Sequence, residues 1–260
     1  MSQAAPPHHL HAAVGGAADL LRRAHHAVAL TGAGISTPSG IPDFRSAGVG
    51  LWERFDPMAV ASLTRFRYDP EAFFVFLQPL AAQILSAEPN AAHRALAELE
   101  QEGRLAGVIT QNIDQLHQRA GSQCVLEVHG NVRRATCIAC YVEFDARSYL
   151  QEFVEHGTVP RCPACGGVLK PNVILFGEEL PRATFDQARA WCAAADLLLV
   201  VGSSLEVTPV SLLPQVAIDA GARLIIINRE PTYLDQRAQA VFREDLVEVL
   251  PALAAEVLHG

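Results

Sequence analysis

Six cysteines, ten histidines and a glycine turn at residues 32–34 hold most of the chemistry this 260-residue chain can offer. Cys137 and Cys140 form one Cys-x-x-Cys pair and Cys162 and Cys165 a second, with twenty-one residues between the pairs. That is close to the two-knuckle spacing in which four thiolates surround one tetrahedral Zn2+. Four sulfurs complete the coordination shell, so the metal reads as structural; a catalytic zinc keeps one position open. Disulfides are the competing account of the same spacing, and a reducing compartment disfavours them. Cys124, opening an apolar strand, and Cys192, on an apolar helix, read as core packing.

The stretch GAGISTPSGIPDFR, residues 32–45, directly follows an apolar run, 27–30. Gly32 and Gly34 would let the backbone approach a diphosphate, and a following helix N-terminus would favour its charge. An ordinary tight turn would use the same two glycines. Thr37 stands where the dinucleotide fingerprint has its third glycine. The segment then runs on through Asp43, Phe44 and Arg45, which read by themselves as a surface ion pair around a core aromatic. His129 is the best candidate for a general base, because its ordinary pKa is near neutrality and it ends an apolar strand. Asn112 and Asp114 also follow a strand; a turn with Asp114 capping a helix over 115–120 explains them equally well. His93 and His117 fall inside expected helices and carry less weight.

What positions these residues is a repeated strand ending. Short apolar runs at 27–30, 107–110, 125–128, 197–201 and 224–227 are each followed by glycine or a hydrogen-bonding side chain. The followers include Gln111 after the second, His129 after the third, Gly202, Ser203 and Ser204 after the fourth, and Asn228 after the fifth. Helical stretches at 11–25, 90–102 (Asn90 as N-cap, Gly103 as stop) and 181–195 lie between them. The pattern predicts an α/β fold, a doubly wound, Rossmann-like parallel sheet whose carboxyl-end rim forms a ligand crevice. Two insertions interrupt it. One, about 44–90, reads as a helical module with a mobile segment near 46–50 and a helix that breaks at Pro79. The other, 132–170, is the metal module, leaving 1–131 and 171–260 as the dinucleotide-binding domain.

A net charge of −8 gives a nucleic-acid partner no support and welcomes basic peptides. No run of eighteen apolar residues suggests a membrane span, and the first thirteen residues lack the pattern of a signal peptide, so a cytoplasmic protein is expected. Lys170 is the only lysine, which reads as a genomic preference for arginine.

Taken in order, residues 32–45, TQNIDQLHQRAG (110–121), His129 with Gly130, the four cysteines, KPNVILFGE (170–178), GSSL (202–205) and Asn228 resemble the signature of the sirtuins, NAD-dependent protein deacylases. The resemblance spans about 30–250. It implies that NAD is consumed as a co-substrate, that acyl-lysine proteins or peptides are the substrates, and that one Zn2+ is structural. It further implies that Ala33, Gly34 and Ser203 meet the diphosphate, with Arg45 close by, that Gly32, Ser36 and Gly202 also belong to the cofactor site, and that Gln111 holds the nicotinamide ribose. Ile41, Asp43, Asn112, Ile113 and Asp114 would form the carboxamide pocket, with Phe44 shielding the reacting sugar carbon. Ser204, Asn228 and Leu246 would face the adenosine half, and Ile174, Phe176, Gly177 and Val207 the acyl-lysine tunnel. His129, with Asn112 and Asp114, would be catalytic. The products would be free lysine, nicotinamide and O-acetyl-ADP-ribose. Longer-chain deacylation or ADP-ribosyl transfer are variants on the same fold.

Two departures matter. Glu244 stands where the family usually has glycine, and the helical module lacks the Tyr-x-x-Arg that holds acidic acyl groups, which favours neutral acyl chains. A dehydrogenase would need a third glycine and an acid about twenty residues on; Glu53 lies in the wrong kind of segment. A zinc-knuckle binding module would leave the polar strand ends without a task.

Overall fold

Five residues without polar alternation, Ala27–Thr31, form strand β1, buried at every position because both faces of the sheet are covered. The structure, a computed structural model, describes residues 7–43, 50 and 55–260. β1 pairs in parallel with β2 (Gly107–Thr110), and β2 with β3 (Val125–Glu127). The chain then leaves this sheet. β4 (Gly130–Cys137), β5 (Glu143–Asp145) and β6 (Leu169–Val173) form a small antiparallel sheet in the order β5-β4-β6. It returns as β7 (Leu197–Val201), β8 (Arg223–Ile227) and β9 (Ala240–Phe242), all parallel.

The large sheet runs β3-β2-β1-β7-β8-β9. The strand order reverses between β1 and β7, the switch point beyond whose carboxyl ends such sheets bind ligands. The doubly wound α/β fold predicted from the strand endings is present, with one strand more than the five expected. β9 is three residues long and partly exposed, too short to register as an apolar run. The helices Pro7–Arg23, Ala91–Gln101 and Leu246–His259 cover one face, burying Leu21, Leu96, Leu99 and Leu253. The helices Arg182–Ala194 and Leu213–Asp219 cover the other through Ala188, Cys192 and Leu213. At about 1.5–3 kcal/mol per large apolar side chain, these faces dominate the stability of the sheet.

The two insertions share a third core. Phe73, Phe74, Leu77 and Leu80 of the helix Pro70–Ser86 pack against Leu150 and Phe153 of the helix Arg147–His156. The rings of Phe74 and Phe153 meet edge to face at 5.1 Å. Pro79 does not end its helix, contrary to expectation; Pro70–Ser86 continues through it. A proline forfeits one backbone bond, and apolar burial on both sides of it offsets that loss. Cys124 is also not core: β3 begins one residue later and Cys124 is exposed, its N–H bonded to the Glu100 carboxylate at 2.6 Å. Cys192 is buried as expected. Among the described residues no helix is long and apolar enough to cross a membrane.

Candidate functional site

The ladder of the sheet runs on past the strand ends. Gly32 N–H donates to Val201 O (3.1 Å), Gly34 N–H to Gly202 O (2.9 Å) and Gly202 N–H to Ile227 O (2.9 Å). The loops after β1, β7 and β8 are thereby held flush, which explains the glycines. A Cβ on Gly32 or Gly34 would lie 2.8 Å from Gly202 O, and one on Gly202 would lie 2.4 Å from Ile35 N. Gly202 also has φ +59, a conformation that penalises a side chain. Loop-on-loop packing therefore demands these residues before any ligand does, a reason the Gly-x-Gly pattern does not disclose.

The regular helix expected after Gly34 is absent. Two 3-10 turns, Ala33–Ile35 and Thr37–Ser39, follow instead and end at Gly40 in the left-handed region. Asn90 explains the difference. Besides capping its own helix, it donates from Nδ2 to Ile35 O (2.8 Å) and Ser39 Oγ (3.0 Å), drawing the loop onto the helix start. Anion attraction by a following helix dipole is not part of this site.

Above the rim lies a cleft of about 1360 Å3. Every described residue expected at the site borders it, from the loop after β1 to Leu246. Phe44, Arg45 and residues 46–49 of the segment expected to be mobile lie outside the described residues. The cleft also takes an apolar wall that site-by-site reading did not assign: Phe73, Phe76, Leu77, Leu80 and Ile84, all on the helix Pro70–Ser86. The signal was available, since these residues recur at helical spacing; only the face they present was not.

At the centre, three polar side chains lock together. Ser36 Oγ donates to Asp114 Oδ2 (2.6 Å), and Asn112 Nδ2 donates to Ser36 Oγ (3.0 Å) and to Gly32 O (3.1 Å). Asp114 Oδ1 accepts from Leu116 N–H (2.9 Å), so it also satisfies the first N–H of the helix Leu116–Ala120, from one position before the N-cap Gln115. Burial raises the Asp114 pKa above the usual aspartate value, while the bonds from Ser36 and Leu116 hold it back. Gln111 joins two loops by donating from Nε2 to Ser203 Oγ (2.9 Å).

His129 Nδ1 lies 3.1 Å from the Gln111 carbonyl oxygen. A carbonyl only accepts, so Nδ1 carries the proton and Nε2 is the basic nitrogen. The adjacent Gly130, at φ +74, is forced: a Cβ there would fall 2.0 Å from Asn172 O. His129 O accepts from Ile174 N–H (2.9 Å). Both backbone groups of Phe176 are tied to the segment 61–63, its N–H to Ala61 O (3.0 Å) and its carbonyl to Leu63 N–H (2.9 Å). At the far end, Asn228 Nδ2 donates to Glu230 O (2.8 Å), and Arg243 reaches Asn228 O (2.6 Å). Glu244 is exposed, and it is absent from the non-glycine residues with positive φ, so its position needs no glycine.

The four cysteines of the knuckles converge. Their sulfurs all lie within 4.8 Å of one another, with Cys137–Cys165 at 3.4 Å and Cys140–Cys162 at 3.7 Å. Sulfurs about 2.3 Å from a tetrahedral Zn2+ stand about 3.8 Å apart, so the set fits one zinc and is too long for disulfides.

A sequence profile described as the Sir2 family matches residues 32–209. The chain belongs to the Sir2 family. Among Sir2-like relatives, NAD-dependent protein deacylase 2 of Archaeoglobus fulgidus is 46% identical over 242 residues, 93% of this chain and 94% of that one. NAD-dependent protein deacetylase of Caldivirga maquilingensis is 48% identical, covering 93% and 92% of the two chains. A solved Sir2 enzyme superposes with a TM-score of 0.89 at 45% identity, covering 95% and 98%. A Sir2 bound to a p53 peptide and NAD+ does so at 0.83 and 39%, covering 92% and 95%.

Proposed function

We propose that this chain is an NAD-dependent protein-lysine deacetylase that yields nicotinamide, unmodified lysine and O-acetyl-ADP-ribose. The observation that carries the reading is the convergence of His129, with Nε2 as its basic nitrogen, and the Ser36–Asn112–Asp114 network in one cleft with the glycine loops. Bound NAD supplies a leaving group and an electrophilic ribose carbon. The chain's own residues then have separate tasks. Ala33, Gly34 and Ser203 hold the diphosphate, and Ser204, Asn228 and Leu246 the adenosine end. Asn112, Asp114 and the Ile41 and Ile113 side chains orient the carboxamide, and Gln111 the neighbouring ribose. His129 accepts a proton at Nε2 from a sugar hydroxyl, a step suited to an imidazole acting as general base.

The acylated lysine enters between Gly177 and Val207, with its acyl group toward the apolar wall of Phe76, Leu80 and Ile84. The helix Pro70–Ser86 that forms that wall carries no lysine or arginine, so neutral acyl chains are preferred, acetyl first; a succinyl-peptide rate equal to the acetyl rate would contradict this. The same wall supports longer-chain deacylation as a second reading. Zinc is structural, and a reduced compartment such as the cytoplasm suits the exposed free thiol of Cys124.

Mass spectrometry of a reaction with acetylated peptide and NAD tests the proposal. Nicotinamide and O-acetyl-ADP-ribose are expected with the wild type and not with His129→Ala. Formation of NADH, or equal turnover by the variant, would overturn it.

A further inference from the structure

Lys170 is the only lysine in a chain that uses arginine at every other basic position. It is also nearly inaccessible, 9% exposed, on β6. Its Nζ lies 3.0 Å from Glu178 Oε2 and donates to Val173 O (2.8 Å) and Pro171 O (3.3 Å). An ammonium has three N–H groups and meets three acceptors here. A planar guanidinium carries its donors in a fork and cannot copy that arrangement. The exception to the chain's preference for arginine therefore falls where the geometry calls for a compact charge.

The partner is the other half of the device. Glu178 Oε2 also accepts from Leu175 N–H (3.0 Å), and Glu178 N–H donates to Leu175 O (3.0 Å). The segment 175–178 is thus a closed turn, passing through Gly177 at φ +80, with the ammonium anchored beneath it. The turn carries Phe176 and Gly177, and Ile174 beside it bonds the backbone of His129. Ile174 and Phe176 tie the backbone of the strip to the fold, and the ion pair fixes how the turn between them and Glu178 is presented to the cleft.

We propose that the Lys170–Glu178 pair is a positioning device for peptide binding. It holds the strip 174–178 in the register that accepts the backbone of an acyl-lysine peptide. The proposal rests on the assignment of that strip to the substrate. Lys170 touches neither substrate nor co-substrate; it acts through Glu178 and the Val173 carbonyl.

The test is initial-rate kinetics on zinc-loaded protein with an acetyl-lysine peptide and NAD. It uses Lys170→Met, Lys170→Arg, Glu178→Gln and the double variant Lys170→Met/Glu178→Gln, with binding of a labelled acetyl-peptide followed by anisotropy. Each single change is expected to raise the peptide KM and Kd about tenfold while kcat and the KM for NAD stay within about twofold. Arginine should fail to rescue, and the double variant should be no worse than the worse single one, because both changes remove the same interaction. Glu178→Gln preserves shape, and so answers the question even where a variant at Lys170 does not fold. An unchanged peptide KM, a loss divided equally among kcat and both KM values, or multiplying effects in the double variant would overturn the role. A wild type that neither binds nor deacetylates the peptide would overturn the proposed function, and this role with it.

Discussion

Acidification should unfold this protein through two fully buried histidines. His93 and His117 are 0% and 1% exposed, their rings 4.9 Å apart. Thr31 donates its hydroxyl proton to Thr110, so the bond of 2.9 Å between Thr31 Oγ1 and His117 Nε2 must use a proton on Nε2. His117 Nδ1 is then bare and has no partner, and His93 Nε2 has none either. A second proton on either ring would be buried without an acceptor. Burial lowers His93 to about 4 and His117 well below the usual value of 6.5. Both folded pKa values are depressed, so between about 6.5 and 4 the unfolded chain binds more protons and stability falls as pH falls. For His93 alone the loss from pH 7 to pH 5 is about 2 kcal/mol, and His117 adds a loss of the same sign. Burial raises Asp114 and Glu127, which act in the opposite direction. The assay is urea unfolding at several pH values for the wild type and His93→Gln, with zinc retention checked in both. The wild type should lose about 2 kcal/mol more than the variant over that interval. Parallel pH profiles for the two proteins would refute the reasoning.

Three further outcomes follow from the same geometry. Gly202→Ala should cost roughly 3 kcal/mol or more and abolish NAD binding, since its Cβ would meet Ile35 N at 2.4 Å; urea midpoints and calorimetry read both. Asp114→Asn should leave stability at pH 7 unchanged or slightly higher, because a carboxylate with a raised pKa opposes folding once it is ionised. The same change should cut turnover about 100-fold, and a stability loss above about 1 kcal/mol would contradict the sign. Removing zinc, by chelation or by Cys162→Ser, should unfold the small antiparallel sheet and lower activity without altering the product ratio. Chelated protein that keeps its near-ultraviolet circular dichroism and fails only at the chemical step would show that the metal is not structural.

The strand ends were readable because a strand buried on both faces has no polar alternation, so Gln111 and Asn228 stand out sharply where the apolar run stops, while His129 follows the half-buried edge strand β3 and is marked only by Val128 before it. The cysteine pairs were readable because zinc ligation fixes spacing locally. Less local features were not. Asn90 reads as an ordinary N-cap, and its second task, drawing residues 35–39 out of a helical path, depends on a contact 55 residues away. Pro79 reads as a break because local propensity says so, and only the shared core of Phe74 and Phe153 overrides it. Gly32 and Gly34 read as ligand glycines, because no sequence pattern announces that Gly202 will press against them. The exposure of Cys124 turns on where β3 starts, a matter of one residue.

The near-absence of lysine has a bearing on the enzyme's own chemistry. Reactive acyl donors modify amines they can reach, and the only side-chain amine here is sealed and charge-paired. An eraser of acyl-lysine marks built this way offers no open lysine of its own on which those marks could accumulate, and none that would compete with its substrates for the cleft.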